Sequence, residues 1–115
     1  MNATRNVILA SNVFEASNFF TRFKGLLGTR KLELGCGLVL IPCNQIHMFW
    51  MTYPIDALFL SKEGVVVGLS ERLKPWRLSP MFKGAKSCLE LPAGTISDTG
   101  TEVGDLIEIK TSGDS

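Results

Sequence analysis

The sequence predicts a small, mainly β domain, of the sandwich or barrel type, with one short helix near the N-terminus. Short apolar runs separated by Gly, Pro and Asn turn signals occupy most of the 115 residues. Only the stretch from Phe19 to about Leu27 places its apolar residues at the spacing of an amphipathic helix. The length suits one domain with a modest core, so we expect residues 1–115 to fold as a single unit.

The strands are predicted from the apolar runs in chain order. An opening strand is expected at 5–10, and 13–16 continues it or returns along it. Later strands are expected at 38–41, in both halves of 43–60, and at 65–69, 87–91 and 106–110. The turn at Ser61–Gly64 joins two of them as a hairpin, and the last three residues are expected to fray.

Residues 43–60 are the most unusual stretch, since they hold the only histidine and the only tyrosine of the chain. On a strand Cys43, His47 and Met51 would share a face, and the same spacing would align them on a helix. Thiolate, imidazole and thioether together suit Cu(I), and suit Zn less well. The alternative is a packed aromatic core in which Met51 makes sulfur–aromatic contacts.

Asp56 lies within the almost wholly apolar run 55–60, where a carboxylate is costly to bury without partners. One interpretation is that it accepts backbone N–H groups from the turn at 51–54, as aspartates often do. The other is that it is a general base or a ligand. Both interpretations stay open from the sequence.

The net charge of +1 hides an uneven distribution. Residues 72–87 carry five basic and no acidic side chains, and residues 89–109 carry five acidic and no basic ones. The pattern is typical of an anion-binding face, or of neighbouring strands whose opposite charges pair. Trp76 and Phe82 lie among the basic residues, but a packed tryptophan beside extended basic side chains is favoured, so nucleic acid is not an expected partner.

Three cysteines without a CxxC unit argue against a disulfide framework and for reduced thiols in the cytoplasm. The first residues have too short an apolar run for a signal peptide, and no run reaches the ~18 residues of a membrane span. We therefore expect a cytoplasmic protein that does not contact a membrane.

Several blocks of the sequence together resemble the DUF192 family, a domain of unknown function that is widespread in bacteria and archaea. The resemblance covers about residues 21–110 and implies a small β-rich sandwich or barrel from, as we expect here, a bacterium. It implies no catalytic residue or substrate, and it draws attention to Met51, Asp56, Glu90 and the Gly104-Asp105 turn. The blocks that carry it are Thr21-Arg-Phe-Lys-Gly-Leu-Leu27, Gly37–Leu40, Cys43-x-x-Ile46-His47, Met51, Ile55-Asp56, Phe59-Leu60, Lys74-Pro-Trp-Arg77, Leu89–Gly94 and Gly104-Asp105.

The function predicted from these observations is non-catalytic binding of a small ligand or of a protein partner. The binding site is expected to centre on His47, Met51 and Asp56, with Arg77 nearby to hold an acidic group of a small ligand. No catalytic residue and no cofactor is predicted. The alternative is a small hydrolase-like enzyme or a Cu/Zn protein that uses His47, Met51 and Asp56, with Cys43 as a further candidate metal ligand.

Overall fold

The computed structural model describes residues 1–16, 35–48, 53–110 and 113–114, and within them the chain is mainly β, as predicted. Its elements are six strands and one short helix. They are β1 (Asn12–Ala16), β2 (Cys36–Leu40), β3 (Ile55–Leu60), β4 (Val66–Leu73), β5 (Ser87–Pro92), α1 (Thr95–Thr99) and β6 (Gly113–Asp114).

The strands form one mixed sheet in the order β4-β3-β5-β2-β1-β6. β3 pairs antiparallel with β4 and β5, and β5 pairs antiparallel with β2, whereas β1 runs parallel to β2 and β6. All six residues of β3 are buried, which explains why the run 55–60 is apolar at successive rather than alternate positions.

Core residues pack on both faces of this sheet. On β3, Ile55, Ala57 and Phe59 belong to one hydrophobic cluster, while Leu58 and Leu60 belong to another. We call the side of the first cluster the first face and the side of the second cluster the second face. Because side chains alternate along a strand, Asp56 points to the second face with Leu58 and Leu60.

The helix α1 follows the Pro92–Gly94 turn and was not predicted from the sequence. It begins after Gly94, which has φ 100°, and ends at Gly100, which has φ 69° and donates its N–H to the Ile96 carbonyl at 2.9 Å. Glycine adopts these left-handed conformations without steric cost, so both ends of α1 are set by sequence. The helix predicted at 19–27 lies outside the described residues.

Three sequence predictions need correction. The opening strand at 5–10 is wrong, because Asn2 pairs with Val7 across a turn and the chain enters the sheet only at Asn12. The strand at 106–110 is also wrong, since only Leu106 and Ile107 form isolated bridges. The tail expected to fray instead supplies β6, which pairs with β1.

Candidate functional site

Two segments, 44–48 and 76–82, lie side by side and form a hydrogen-bonded ribbon outside the main sheet. His47 forms an isolated antiparallel bridge with Leu78. Four backbone hydrogen bonds of 2.7 to 2.9 Å join the segments, with donor and acceptor residues Trp76 to Met48, Met48 to Arg77, Ser79 to Ile46 and Phe82 to Asn44. The Ser79 hydroxyl adds a bond of 3.0 Å from the Ile46 N–H. The strand predicted for the first half of the central stretch is not formed over residues 43–48, which make only the isolated bridge at His47 and pair with 76–82.

The ribbon has a buried side and an exposed side. Ile46 and Met48 join the first hydrophobic cluster and are 4% and 1% exposed. His47 and its partner Leu78 are exposed, with Leu78 at 57%, and Trp76 and Met81 of the same segment are 56% and 63% exposed. We define the ribbon surface as His47, Trp76, Leu78 and Met81 together with the exposed Arg77. Large side chains of this kind seldom stay in water together without a use.

The Phe82 side chain packs the ribbon against the sheet. Its ring lies 4.6 Å from the ring of Phe59 on β3, centroid to centroid. It also covers Gly68 on β4 so closely that a Cβ atom at Gly68 would lie 2.1 Å from a ring carbon. The glycine is thus required by the ring, and Phe82 is committed to packing rather than to the base stacking considered from the sequence.

Acidic and basic segments do not neutralise one another as a paired sheet would require. Within the described ranges, the ion pairs are those of Arg5 with Glu102 at 2.8 Å and with Asp105 at 2.6 Å. Two acidic residues of the segment 89–109 are therefore matched by a residue near the N-terminus. The basic residues of 72–87 form no ion pair with any described residue.

Asp105 is the centre of a buried polar network. Its Oδ2 atom accepts hydrogen bonds from Asn2 at 2.9 Å, from Arg5 at 2.6 Å and from the Glu102 amide at 3.0 Å. Desolvation raises the pKa of Asp105, but these three hydrogen bonds and the charge of Arg5 outweigh it and lower the pKa from 3.8 to about 2. The network ties the N-terminal turn to the loop after α1.

Asp56 is fully buried and accepts three backbone N–H groups. Its Oδ1 atom accepts from Arg72 at 2.8 Å, and its Oδ2 atom accepts from Gly94 at 3.1 Å and from Ile96 at 2.8 Å. Acceptance of backbone N–H groups was one of the two interpretations of the sequence. The donors, however, lie in β4 and at the start of α1 rather than in the 51–54 turn.

The local backbone explains why a carboxylate is needed at position 56. Between the pairs Ile55↔Leu73 and Ala57↔Ser70, Asp56 faces the two residues Glu71 and Arg72, which is a β-bulge. Arg72 has φ 50°, a conformation in which its N–H leaves the regular ladder. The Asp56 side chain thereby accepts hydrogen bonds from one N–H group in the bulge of β4 and from two N–H groups at the beginning of α1.

The structure brings together two of the four predicted site residues. His47 and Arg77 lie on neighbouring segments of the ribbon, while Asp56 points to the second face of the sheet. Met51 lies outside the described residues. Of the candidate metal ligands, Cys43 is buried with its thiol 3.3 Å from the Gln45 carbonyl, and His47 is exposed. No cluster of three or more metal-type side chains occurs within the ranges described.

A comparison with known proteins bears on this arrangement. The model of the family DUF192, described as an uncharacterized ACR, matches residues 2–109. The chain belongs to the DUF192 family. A UPF0127 protein of Thermococcus sibiricus is 35% identical over 112 residues, covering 94% of this chain and 72% of the relative. A UPF0127 protein of Pyrococcus furiosus is 32% identical over 111 residues, covering 94% and 95% of the two chains. Both relatives are archaeal, so a bacterial source stays a prediction.

Two solved structures share the fold of this DUF192 chain. A protein of unknown function from Novosphingobium aromaticivorans has a TM-score of 0.74 at 20% identity, covering 84% of this chain and 74% of that one. A candidate transcription regulator from Sinorhizobium meliloti has a TM-score of 0.70 at 26% identity, covering 84% and 79% of the two chains. No helix in the part of the chain that the structure describes is long and apolar enough to cross a membrane.

Glu90 is a further residue of the DUF192 pattern for which the sequence left the environment open. It is 2% exposed and lies between Leu38 and Ala57 in the register of the sheet. Its position two residues after Cys88 places it on the first face, on the same side as the core beneath the ribbon.

A cavity of about 520 Å³ lies on the second face, on the side opposite the ribbon of this DUF192 chain. Leu9, Val13 and Leu89 line it and belong to the second hydrophobic cluster. Glu108 and Lys110 also line it and are exposed. Of the predicted site residues that the structure describes, His47, Asp56 and Arg77 do not line this cavity, and no pattern in the sequence predicted it.

Proposed function

We propose that this DUF192 chain is a non-catalytic binding domain that recognises a protein partner through the ribbon surface. The observation that carries the proposal is the exposure of Trp76, Leu78 and Met81, each more than half accessible, on one hydrogen-bonded ribbon. Trp, Met and Arg are enriched at the centres of protein interfaces, and this surface combines all three with a leucine.

The ribbon is also pre-organised for binding. The hydrogen bonds between its two segments and the packing of Phe82 on Gly68 fix its backbone before a partner arrives. A surface that is already ordered loses less conformational entropy on association than a loop that must fold. Most of the free energy gained when these exposed apolar side chains are buried can therefore contribute to affinity.

The position of Asp56 favours binding over the hydrolase alternative. Each carboxylate oxygen of Asp56 already accepts at least one backbone N–H, and the side chain faces away from the ribbon that carries His47. A general base must lie within about 3 Å of the proton that it removes, directly or through one water. His47 and Asp56 are not placed to act on one substrate.

The Sinorhizobium meliloti relative raises nucleic acid as an alternative partner. The ribbon surface favours protein instead, because single-stranded nucleic acid is held by several aromatic stacking platforms along a basic groove. Phe82 is packed against Phe59, and the side chains beside Trp76 that are most exposed are aliphatic or thioether groups, Leu78 and Met81. Such groups gain most by burial in an apolar pocket of a protein.

Phage display of random peptides on the full chain tests the proposal. The variants Leu78→Ala and Met81→Ala remove exposed apolar side chains of the ribbon surface without touching the core. Peptides selected on the natural chain are expected to bind Leu78→Ala about tenfold more weakly, as for a residue near the centre of an interface. Isothermal titration calorimetry measures both dissociation constants.

Val103→Ala is the matched control, because Val103 is 61% exposed but lies in the loop after α1. It is expected to leave every dissociation constant unchanged. Peptides that lose affinity with Val103→Ala but keep it with both ribbon variants would place the binding surface elsewhere and refute the proposal.

The cavity on the second face supports a second candidate function, the binding of a small apolar ligand. Its volume of about 520 Å³ is within the usual range for ligand pockets, and its lining is largely apolar. Decanoate titrated into the protein is expected to release or absorb heat with the natural chain. With Ala10→Leu, which extends a lining side chain into the cavity, the heat should disappear. An unchanged titration with this variant would rule out the cavity.

We further propose that residues 1–115 form one domain and that the protein is cytoplasmic. One sheet carries both hydrophobic clusters, which supports a single unit. The odd number of three cysteines, with no CxxC unit, fits reduced thiols, which are the usual state in the reducing cytoplasm. Thiol labelling of protein isolated under anaerobic conditions tests the location, since an oxidising compartment would leave fewer reactive thiols.

A further inference from the structure

We propose that the partner segment recognised by the ribbon surface is acidic as well as apolar. The inference rests on the proposed function of that surface, and it adds the chemical class of the partner. Its starting point is the charge of the segments that form and flank the ribbon. Residues 72–87 contain five basic and no acidic side chains, and residues 41–48 contain no acidic side chain.

The basic residues next to the ribbon form no ion pair with the acidic residues that the structure describes. Arg72, Lys74, Arg77, Lys83 and Lys86 are all exposed, and none forms an ion pair with a described residue. The contrast is Arg5, which pairs with both Glu102 and Asp105. Arg5 thus matches two acidic residues of the last third, whereas the basic residues of 72–87 pair with no described acidic residue and can meet an external anion.

Exposed basic residues lie next to the exposed apolar residues in the sequence of the ribbon. Arg77 lies between Trp76 and Leu78, and Lys74 and Lys83 flank the segment at its two ends. Exposed apolar side chains surrounded by charges reproduce the anatomy of a protein interface, with an apolar centre and a polar rim. Positive charges on such a rim speed the encounter with an acidic partner and disfavour a basic one.

The experiment uses the peptides selected on the natural chain by phage display. Each peptide is synthesised twice, once as selected and once with every Asp and Glu replaced by Asn and Gln. Fluorescence anisotropy with the 115-residue chain then gives dissociation constants at about 50 mM and about 500 mM salt, where charges are weakly and strongly screened. The acidic form is expected to bind about tenfold more tightly at low salt, since several exposed ion pairs each contribute a small factor.

Arg77→Gln separates the charge from the apolar contacts. It is expected to weaken the acidic peptide several-fold and to leave its amide counterpart unchanged, because only the acidic form loses an ion pair. Lys62→Gln is the matched control, since Lys62 is an exposed basic residue in the hairpin turn between β3 and β4. It is expected to leave both peptides unaffected.

The outcomes separate a failure of the inference that the partner is acidic from a failure of the proposed binding surface. If the amide peptides bind as tightly as the acidic ones, or if the selected peptides contain no acidic residues, the inference of an acidic partner is overturned while Leu78→Ala still tests the surface. If Leu78→Ala has no effect on any peptide, both proposals fail. If single-stranded DNA competes better than the acidic peptides, and Arg77→Gln but not Leu78→Ala weakens it, the partner is a nucleic acid and the inference is overturned.

Discussion

The surroundings of Asp56 and the ribbon surface both contain residues that the sequence marks as unusual, yet the fold uses them in opposite ways. Asp56 is fully buried, and three backbone N–H groups surround its carboxylate. His47 and Arg77 are exposed on a ribbon beside three large apolar side chains. The difference shows that a polar residue in an apolar run can be required as a hydrogen-bond acceptor for backbone N–H groups. Apolar residues left in water next to uncompensated charge are better evidence of binding.

The largest effect is expected from Asp56→Ala. Removing the carboxylate leaves the N–H groups of Arg72, Gly94 and Ile96 without their acceptor, two of them in buried hydrogen bonds. We expect the free energy of unfolding to fall by about 3 kcal/mol or more, because buried donors lose charge-assisted hydrogen bonds. Urea denaturation followed by circular dichroism measures the loss.

Asp56→Asn sharpens this comparison because it keeps the shape of the side chain. Its amide group must turn a donor toward at least one of the three N–H groups, so we expect a loss of about 2 kcal/mol. His47→Ala is the surface counterpart and should change stability by less than about 0.5 kcal/mol. A stable Asp56→Asn protein with impaired peptide binding would indicate that Asp56 belongs to the binding site.

Asp105→Asn tests a second buried carboxylate, and its effect should depend on pH. The folded-state pKa of about 2 is below the ordinary value of 3.8, so the charged form contributes stability fully above pH ~4, and this contribution is lost as the pH falls toward 2. At neutral pH the variant should be about 2 kcal/mol less stable, because hydrogen bonds to a charged acceptor are lost.

Unfolding measured from pH 6 down to pH 2 checks the sign of this effect. Between pH 4 and pH 2 the free energy of unfolding of the natural chain should fall more steeply than that of Asp105→Asn. The difference in slope should correspond to the uptake of at most about one proton on unfolding. Parallel curves over this interval would show that Asp105 does not have the lowered pKa. Val103→Ala, at an exposed uncharged position in the same loop, is the control and should leave the slope unchanged.

Gly68→Ala addresses the attachment of the ribbon to the sheet. The new Cβ would lie 2.1 to 2.5 Å from three carbons of the Phe82 ring, so the ring and the ribbon above it must shift. We expect a loss of about 1 to 2 kcal/mol, typical of overpacking. The double variant Gly68→Ala/Phe82→Leu should lose less than the sum of the single variants, since the smaller side chain relieves the contact. Additive losses would mean that the ring does not restrain this position.

The strands that consist mainly of consecutive apolar residues were predicted from the sequence. The runs 38–41, 55–60, 65–69 and 87–91 overlap β2, β3, β4 and β5. The clearest of them is β3, which is buried at all six positions and is therefore almost wholly apolar. The helix α1 was missed because Thr95–Thr99 has no apolar stripe and buries only Ile96. Its N-terminal N–H groups are satisfied by Asp56, which lies about forty residues earlier.

The candidate site was predictable only where it depended on local chemistry. His47 and Arg77 were selected by residue type and charge, and both are on the ribbon surface. Their proximity follows from hydrogen bonds between segments some thirty residues apart, and no periodicity in either segment encodes that pairing. The same limit applies to Asp56, whose acceptor role was foreseen but whose donors are set by a bulge in β4.

The smallest stability effect is expected from Leu78→Ala, and it is the most informative about the ribbon. Leu78 is 57% exposed, so its truncation removes little buried area and should change the free energy of unfolding by less than about 0.5 kcal/mol. The same variant is expected to lose peptide affinity, whereas Asp56→Asn is expected to lose stability and, once folded, to keep its affinity. Urea denaturation and calorimetry on the two proteins therefore give opposite patterns if one region maintains the fold and the other binds. A large loss of stability in Leu78→Ala would mean that this side chain is part of the fold, and the distinction between the two regions would then disappear.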